Sequence, residues 1–127
     1  MLEKLNPAGA PQPASNYCQA VAVEGATRWL HMSGQIGLDA EGRFVGDAEA
    51  QMRQCWRNIL AVLEGSGMGK ENLVKVTVLL TDAALVPMYR QIRDEMLENY
   101  ICASTMMVIS ALAHPDWVVE IEAVAAA

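Results

Sequence analysis

The sequence predicts an α+β domain: a mixed sheet of about six strands with two helices packed on one face. Three observations carry this. Two stretches repeat apolar residues at helical spacing, the stretch between them alternates as a strand, and the chain closes on two apolar runs of strand length, on either side of His114-Pro115-Asp116.

Taken in order, residues 1–15 place Pro7, Pro11 and Pro13 among alanines and glycine, a composition that sustains neither a helix nor an inner strand. An extended arm is expected there. Tyr17 to Val23 and Thr27 to Ser33 read as two strands joined at Glu24-Gly25, which predicts a hairpin. Gly34 and Gly37 interrupt the second run and mark a bend, a bulge or a close approach by another group. A further short strand is expected near Gly42 to Val45.

Asp47 is a suitable N-cap for a helix to about Glu64, stopped by Gly65, Gly67 and Gly69. Met52, Cys55, Trp56, Ile59, Leu60 and Leu63 form its apolar stripe, with Gln51, Arg53, Gln54, Arg57 and Asn58 largely outside it. In the run Leu73 to Leu80, Val74, Val76, Val78 and Leu80 face one way and Lys75 and Thr77 the other. Thr81 or Asp82 caps a second helix with Pro87 in its first turn and a stripe of Leu85, Tyr89, Ile92, Met96 and Tyr100. In the last run Val119, Ile121 and Ala123 share an apolar face with Trp117, while Glu120 and Glu122 share the opposite one. Two helices cover only one face of a sheet, so a homo-oligomer is the simplest cover for the other.

At 127 residues the chain fits one domain, and 53% hydrophobic against 19% charged residues leaves apolar surface for another subunit. The net charge of −6 argues against a nucleic-acid partner, which needs clustered Lys and Arg. Cys18, Cys55 and Cys102 stand far apart and the only histidines are His31 and His114, so no metal site or disulfide framework is signalled. No leader pattern or membrane-length apolar run is present, and a cytoplasmic protein without a membrane partner is expected.

Five segments together resemble the RidA/YjgF family, also called the endoribonuclease L-PSP or translation-initiation-inhibitor family. They are Asn16 to Val21, Met32-Ser33-Gly34-Gln35-Ile36, Glu49 to Gln54, Val74 to Asp82 and Val119 to Val124, in the family's order over nearly the whole chain. The resemblance implies a chorismate-mutase-like fold, a barrel-centred homotrimer and three clefts between subunits. In the family's deaminase branch such clefts hydrolyse enamines and imines, for example 2-aminoacrylate, to a keto acid and ammonia without a cofactor. An arginine there holds the substrate carboxylate, a glutamate positions or activates water, and a tyrosine closes the pocket.

Carried over by residue, the tyrosine matches Tyr17, the Ser-Gly pair Ser33 and Gly34, and the glutamate Glu120. Glu120 is thus the candidate catalytic group, with an inter-subunit hydrogen-bonding acid as the alternative role. Where deaminases read Pro-Ala-Arg-Ser-Thr this chain reads Ile101-Cys102-Ala103-Ser104-Thr105, so Ala103 stands at the arginine position. An alanine cannot make the bidentate grip of a guanidinium, and the cleft is expected to favour a less acidic ligand or one held differently. Cys102 and Cys18 adjoin the matched positions, where a thiol is either a site group or buried packing. Arg90 and Arg93 are expected to be solvated or paired with helix acids, Arg53 to make a surface or interface contact, His31 to be packed and His114 exposed. Three functional classes stand: a small-metabolite trimer with imine or enamine hydrolysis, a non-catalytic binding or regulatory trimer, and, against the charge balance, a ribonuclease or translation inhibitor.

Overall fold

The computed structural model describes residues 1–127. In chain order the elements are β1 (Leu2–Leu5), β2 (Ala20–Val23), β3 (Trp29–Gln35), α1 (Ala48–Gly65), β4 (Leu73–Leu80), α2 (Val86–Met96), β5 (Ala103–Val108) and β6 (Val119–Ala126). Four strands form a mixed sheet in the order β3-β6-β4-β5, with β4 and β5 parallel across α2 and β6 antiparallel to both its neighbours. β1 and β2 form an antiparallel ribbon. A parallel bridge from Cys18 to Ala103, with the Cys18 N–H donating to the Cys102 carbonyl at 3.0 Å, attaches this ribbon to the start of β5.

Local chemistry accounts for both helices. The Asp47 carboxylate accepts from the Ala50 N–H at 2.9 Å and caps α1. At the other end Gly67 takes a φ of 75°, its N–H bonds Glu64, and the Met68 N–H returns to Leu63 at 2.8 Å. This pair of bonds satisfies carbonyls that would otherwise be orphaned, and it brings Met68 into the core beside Leu63. Asp82 caps a short 3-10 turn at Ala83–Leu85, and Pro87 lies in the first turn of α2, where its missing N–H costs nothing.

The core lies between the helices and one sheet face. Met52, Cys55, Trp56, Ile59 and Leu63 of α1 and Tyr89 and Ile92 of α2 meet Val76, Val78, Leu80, Val119, Ile121, Ala123 and Ala125. Trp56 and Tyr89 stack with centroids 6.5 Å apart. The alternation of β6 holds as predicted: Val119, Ile121 and Ala123 are buried, and Glu120 and Glu122 are on the other face. That other face carries no helix.

Four expectations need correction. β2 and β3 do not form a hairpin; β2 pairs with β1 and β3 with β6, whose apolar row gives β3 a buried partner along its length. Leu2–Leu5 is therefore a strand within the arm, at an outer edge where the following prolines do no harm. On β4 a register shift between Leu73 and Lys75 sends Leu73 into the core and leaves Val74 half-buried. The expected strand near Gly42 to Val45 reduces to a single bridge between Leu38 and Phe44.

Candidate functional site

The predicted site residues fall into two groups. The first is at the β3 edge. β3 has one more residue than β6 between Met32 and Gln35, a bulge centred on Ser33-Gly34. Glu120, from the adjacent β6, lays its side chain over Gly34, so closely that a Cβ at this position would stand 2.7 Å from Glu120 Cδ. Gly34 has no positive φ; it is needed because the carboxylate occupies the space of a side chain.

α1 holds this segment from behind. Asn58 Nδ2 donates to the carbonyls of Ile36 (3.2 Å) and Leu38 (2.9 Å), Gln54 Nε2 donates to Asn58 Oδ1 (2.8 Å), and the Cys55 thiol donates to the Gln35 carbonyl (3.2 Å). Gln51 is 2% exposed despite its expected place outside the stripe. Its Nε2 donates to Gly46 O (2.7 Å) and Asp116 O (3.0 Å), and its Oε1 accepts from the Val118 N–H (3.0 Å), two residues before Glu120. Gln51 thus fixes where β6 begins. The available signal was its spacing, one helical turn before Cys55 and so on the flank of the apolar stripe.

The second group is at the β5 edge. Tyr17 lines a cavity of about 280 Å³ together with Ser15, Arg90, Arg93, Ser104 and Thr105. Ala103 begins β5 in register with Lys75, whose Nζ donates to Thr105 Oγ1 at 2.6 Å. Cys102 is 4% exposed and packed in the core, and burial pushes its thiol up to about 12; Cys55 is likewise pushed up to about 12, and burial raises Cys18. All three are protonated at neutral pH, which removes the thiolate that nucleophilic chemistry requires.

The arginines depart from expectation. Arg53 pairs with Glu49 (3.1 Å) and Glu95 (2.9 Å) on the surface, as anticipated. Arg93 does pair with Asp94 at 2.9 Å, but its side chain is only 5% exposed, and its Nη1 approaches Ser15 Oγ at 3.5 Å. Arg90 is half-buried and enters no ion pair. Helical periodicity gave no warning, because Ser15, Tyr17 and Gln19, far away in sequence, line one cavity with this flank of α2. His31 is exposed on the open sheet face rather than packed, and His114 is exposed in the connection as expected. No group of three or more His, Cys, Asp or Glu side chains is arranged to hold a metal, and no helix is long and apolar enough to cross a membrane.

Within one chain the two groups stay apart. β3 and β5 are opposite edges of the sheet, three strand spacings or roughly 14 Å from each other.

Comparison with known proteins matches this arrangement to one family. The model of the endoribonuclease L-PSP family covers residues 8–127. The chain is 34% identical over 127 residues to a RutC family protein of Pyrococcus horikoshii, spanning 98% of both. It is 32% identical over 123 residues to the human 2-iminobutanoate/2-iminopropanoate deaminase, covering 95% of this chain and 87% of that protein. This chain belongs to the RidA/YjgF family. Among solved structures, a Rid family protein of unknown function from Yersinia pestis superimposes with a TM-score of 0.89 at 27% identity, over 99% of this chain and 98% of the other.

Proposed function

We propose that the chain assembles as a cytoplasmic homotrimer whose inter-subunit clefts bind a small metabolite and hydrolyse an imine or enamine. One observation carries this reading: Tyr17 and Ala103 lie at one edge of the sheet, and Gly34 and Glu120 at the other. A second copy whose β3 edge met this copy's β5 edge would bring the two groups to one cleft. Most of both edges is unpaired, and β5 leaves Met107 uncovered on the open face and Val108 uncovered on the opposite one, which favours edge-to-edge closure over a solitary chain. The likeness to an imine deaminase supports the chemistry.

In this reading the imine enters as its protonated iminium; Glu120 takes a proton from water as the water oxygen bonds to the iminium carbon, and the C=N π electrons move to the nitrogen. The product is a carbinolamine. Glu120 then returns its proton to the amino nitrogen, the C–N bond breaks, and ammonia leaves as the hydroxyl proton passes back to the Glu120 carboxylate and the carbonyl forms. An enamine enters the same sequence after protonation at carbon. Ala103 supplies no charge, so a carboxylate attached directly to the imine carbon lacks its usual partner, a loss of roughly 1.5–3 kcal/mol.

The missing arginine also favours a second reading, a trimer that binds its metabolite without turnover. One assay separates them: carbonyl release from imines generated in situ, comparing 2-aminoacrylate with the uncharged imine that an amine oxidase makes from isopropylamine. The expected result is acceleration of the uncharged imine that Glu120→Gln removes, poor turnover of 2-aminoacrylate, and a gain on 2-aminoacrylate in Ala103→Arg. No acceleration of either imine, with saturable stabilisation by a metabolite, would support the binding trimer instead.

A further inference from the structure

The cavity beside Tyr17 contains two guanidinium groups and no carboxylate among its lining residues. Asp94 balances the charge of Arg93 and accepts from its Nε, although the buried Nη2, 2.9 Å from Asp94 Oδ1, makes no hydrogen bond of its own. Arg90 has no ion-pair partner, and its Nε is buried without a hydrogen bond. Arg90 as a whole is half-buried, and the cost falls on its buried Nε–H, which is unfavourable unless something meets it. Around it Ser15, Tyr17, Ser104 and Thr105 offer hydroxyls, and within one chain the net complement of the cavity is one positive charge. That is the complement of a small monoanion, and a planar guanidinium matches a carboxylate in geometry.

The position of the cavity sets where that carboxylate sits in the ligand. By register Thr105 shares the open face with Thr77 and Glu122, whereas Ser104 shares the helix-side face with Val76. The cavity therefore wraps the free edge of β5, from the open face round to α2. Ala103 is on the open face, level with Lys75, so a carboxylate gripped from position 103 would lie on the same side as the catalytic carboxylate. An anion on Arg90 lies farther round the edge, toward the helices.

We infer that Arg90, with Arg93 and the surrounding hydroxyls, is a displaced anion subsite, and that this member takes imines whose carboxylate is separated from the C=N carbon by additional carbons. The inference rests on the proposed imine hydrolysis for its account of the reacting end, but the subsite stands on its own geometry. It reconciles the kept Glu120 and Tyr17 with the lost strand arginine: the grip on the acid has moved from β5 to α2, and the substrate is longer.

The test uses the intact protein and three product analogues measured by calorimetry. They are 4-oxopentanoate, with two carbons between ketone and acid, pyruvate with none, and uncharged 2-pentanone. The expected order is 4-oxopentanoate tightest, with its affinity falling about tenfold or more in Arg90→Gln and weakening with added salt, while Arg53→Gln leaves it unchanged. Equal affinity for 4-oxopentanoate in wild type and Arg90→Gln would overturn the subsite, as would pyruvate binding as tightly as 4-oxopentanoate. Thermal unfolding of Arg90→Gln checks that the variant is folded, and Arg90→Lys, which keeps charge but loses the planar fork, should retain part of the affinity. Hydrolysis of the uncharged imine is read separately. If that hydrolysis is absent while the Arg90-dependent binding holds, the reaction is wrong and the subsite is right; the reverse pattern condemns the subsite alone.

Discussion

At the scale of single residues, the proposed chemistry rests on Glu120 and its seat on Gly34. The carboxylate fills the volume that any side chain at position 34 would need, so the glycine acts as a seat for the acid. Gly34→Ala places its new methyl against the flexible end of Glu120, which can swing aside, and Gly34 itself has ordinary backbone angles. The variant is expected to change stability by less than about 1 kcal/mol while reducing imine hydrolysis about a hundredfold or more, because the misplaced base no longer reaches its water. Parallel thermal melts and kinetics measure both quantities. A variant with full activity would mean that the position of Glu120 over Gly34 is irrelevant to catalysis. The buried thiols take no part at this scale: desolvation keeps Cys102 and Cys55 protonated, so their contribution is packing.

The elements place these residues. α1 reaches the bulge of β3 through Asn58 and Cys55 and the start of β6 through Gln51, so one helix sets the mutual position of Gly34 and Glu120. Gln51→Leu keeps the volume but leaves the Val118 N–H and two carbonyls without their partner. About 2–4 kcal/mol of stability should be lost in denaturant unfolding. As a positioning residue, Gln51 should also lower kcat more than it raises KM, and Gln51→Glu, which still offers an acceptor to Val118, should recover part of kcat. An unchanged kcat in Gln51→Leu would confine Gln51 to a structural role.

Much of this layer was legible in the sequence, for physical reasons that can be named. Asp47, Pro87 and the glycines after α1 act within a turn of their own position, and the stripes of both helices and the alternation of β6 are local periodicities. What could not be read depends on distant segments. The partner of β2 is the N-terminal strand and not its neighbour in sequence, and Arg93 meets Ser15, which is far away in the chain. Gln51 looked like surface because its hydrogen-bonding partners, Gly46, Asp116 and Val118, include two more than 60 residues away. In the candidate site, family resemblance supplied Tyr17, Ser33, Gly34 and Glu120, whereas the cavity arginines emerged only from the fold.

At the scale of the whole molecule, one sheet face is covered by helices and the other by nothing in the chain, and the candidate site is divided between the two edges of that sheet. In the proposed reading, catalysis is therefore a property of the assembly. Subunit complementation tests this most directly. Glu120→Gln and Tyr17→Ala proteins, each inactive alone, are dissociated, mixed in equal amounts and reassociated, and imine hydrolysis is measured beside native mass. If each cleft takes its tyrosine from one copy and its glutamate from the next, random assortment restores roughly a quarter of the clefts. A trimer that stays inactive after verified subunit exchange, or a native mass of one chain in fully active protein, would contradict the shared site.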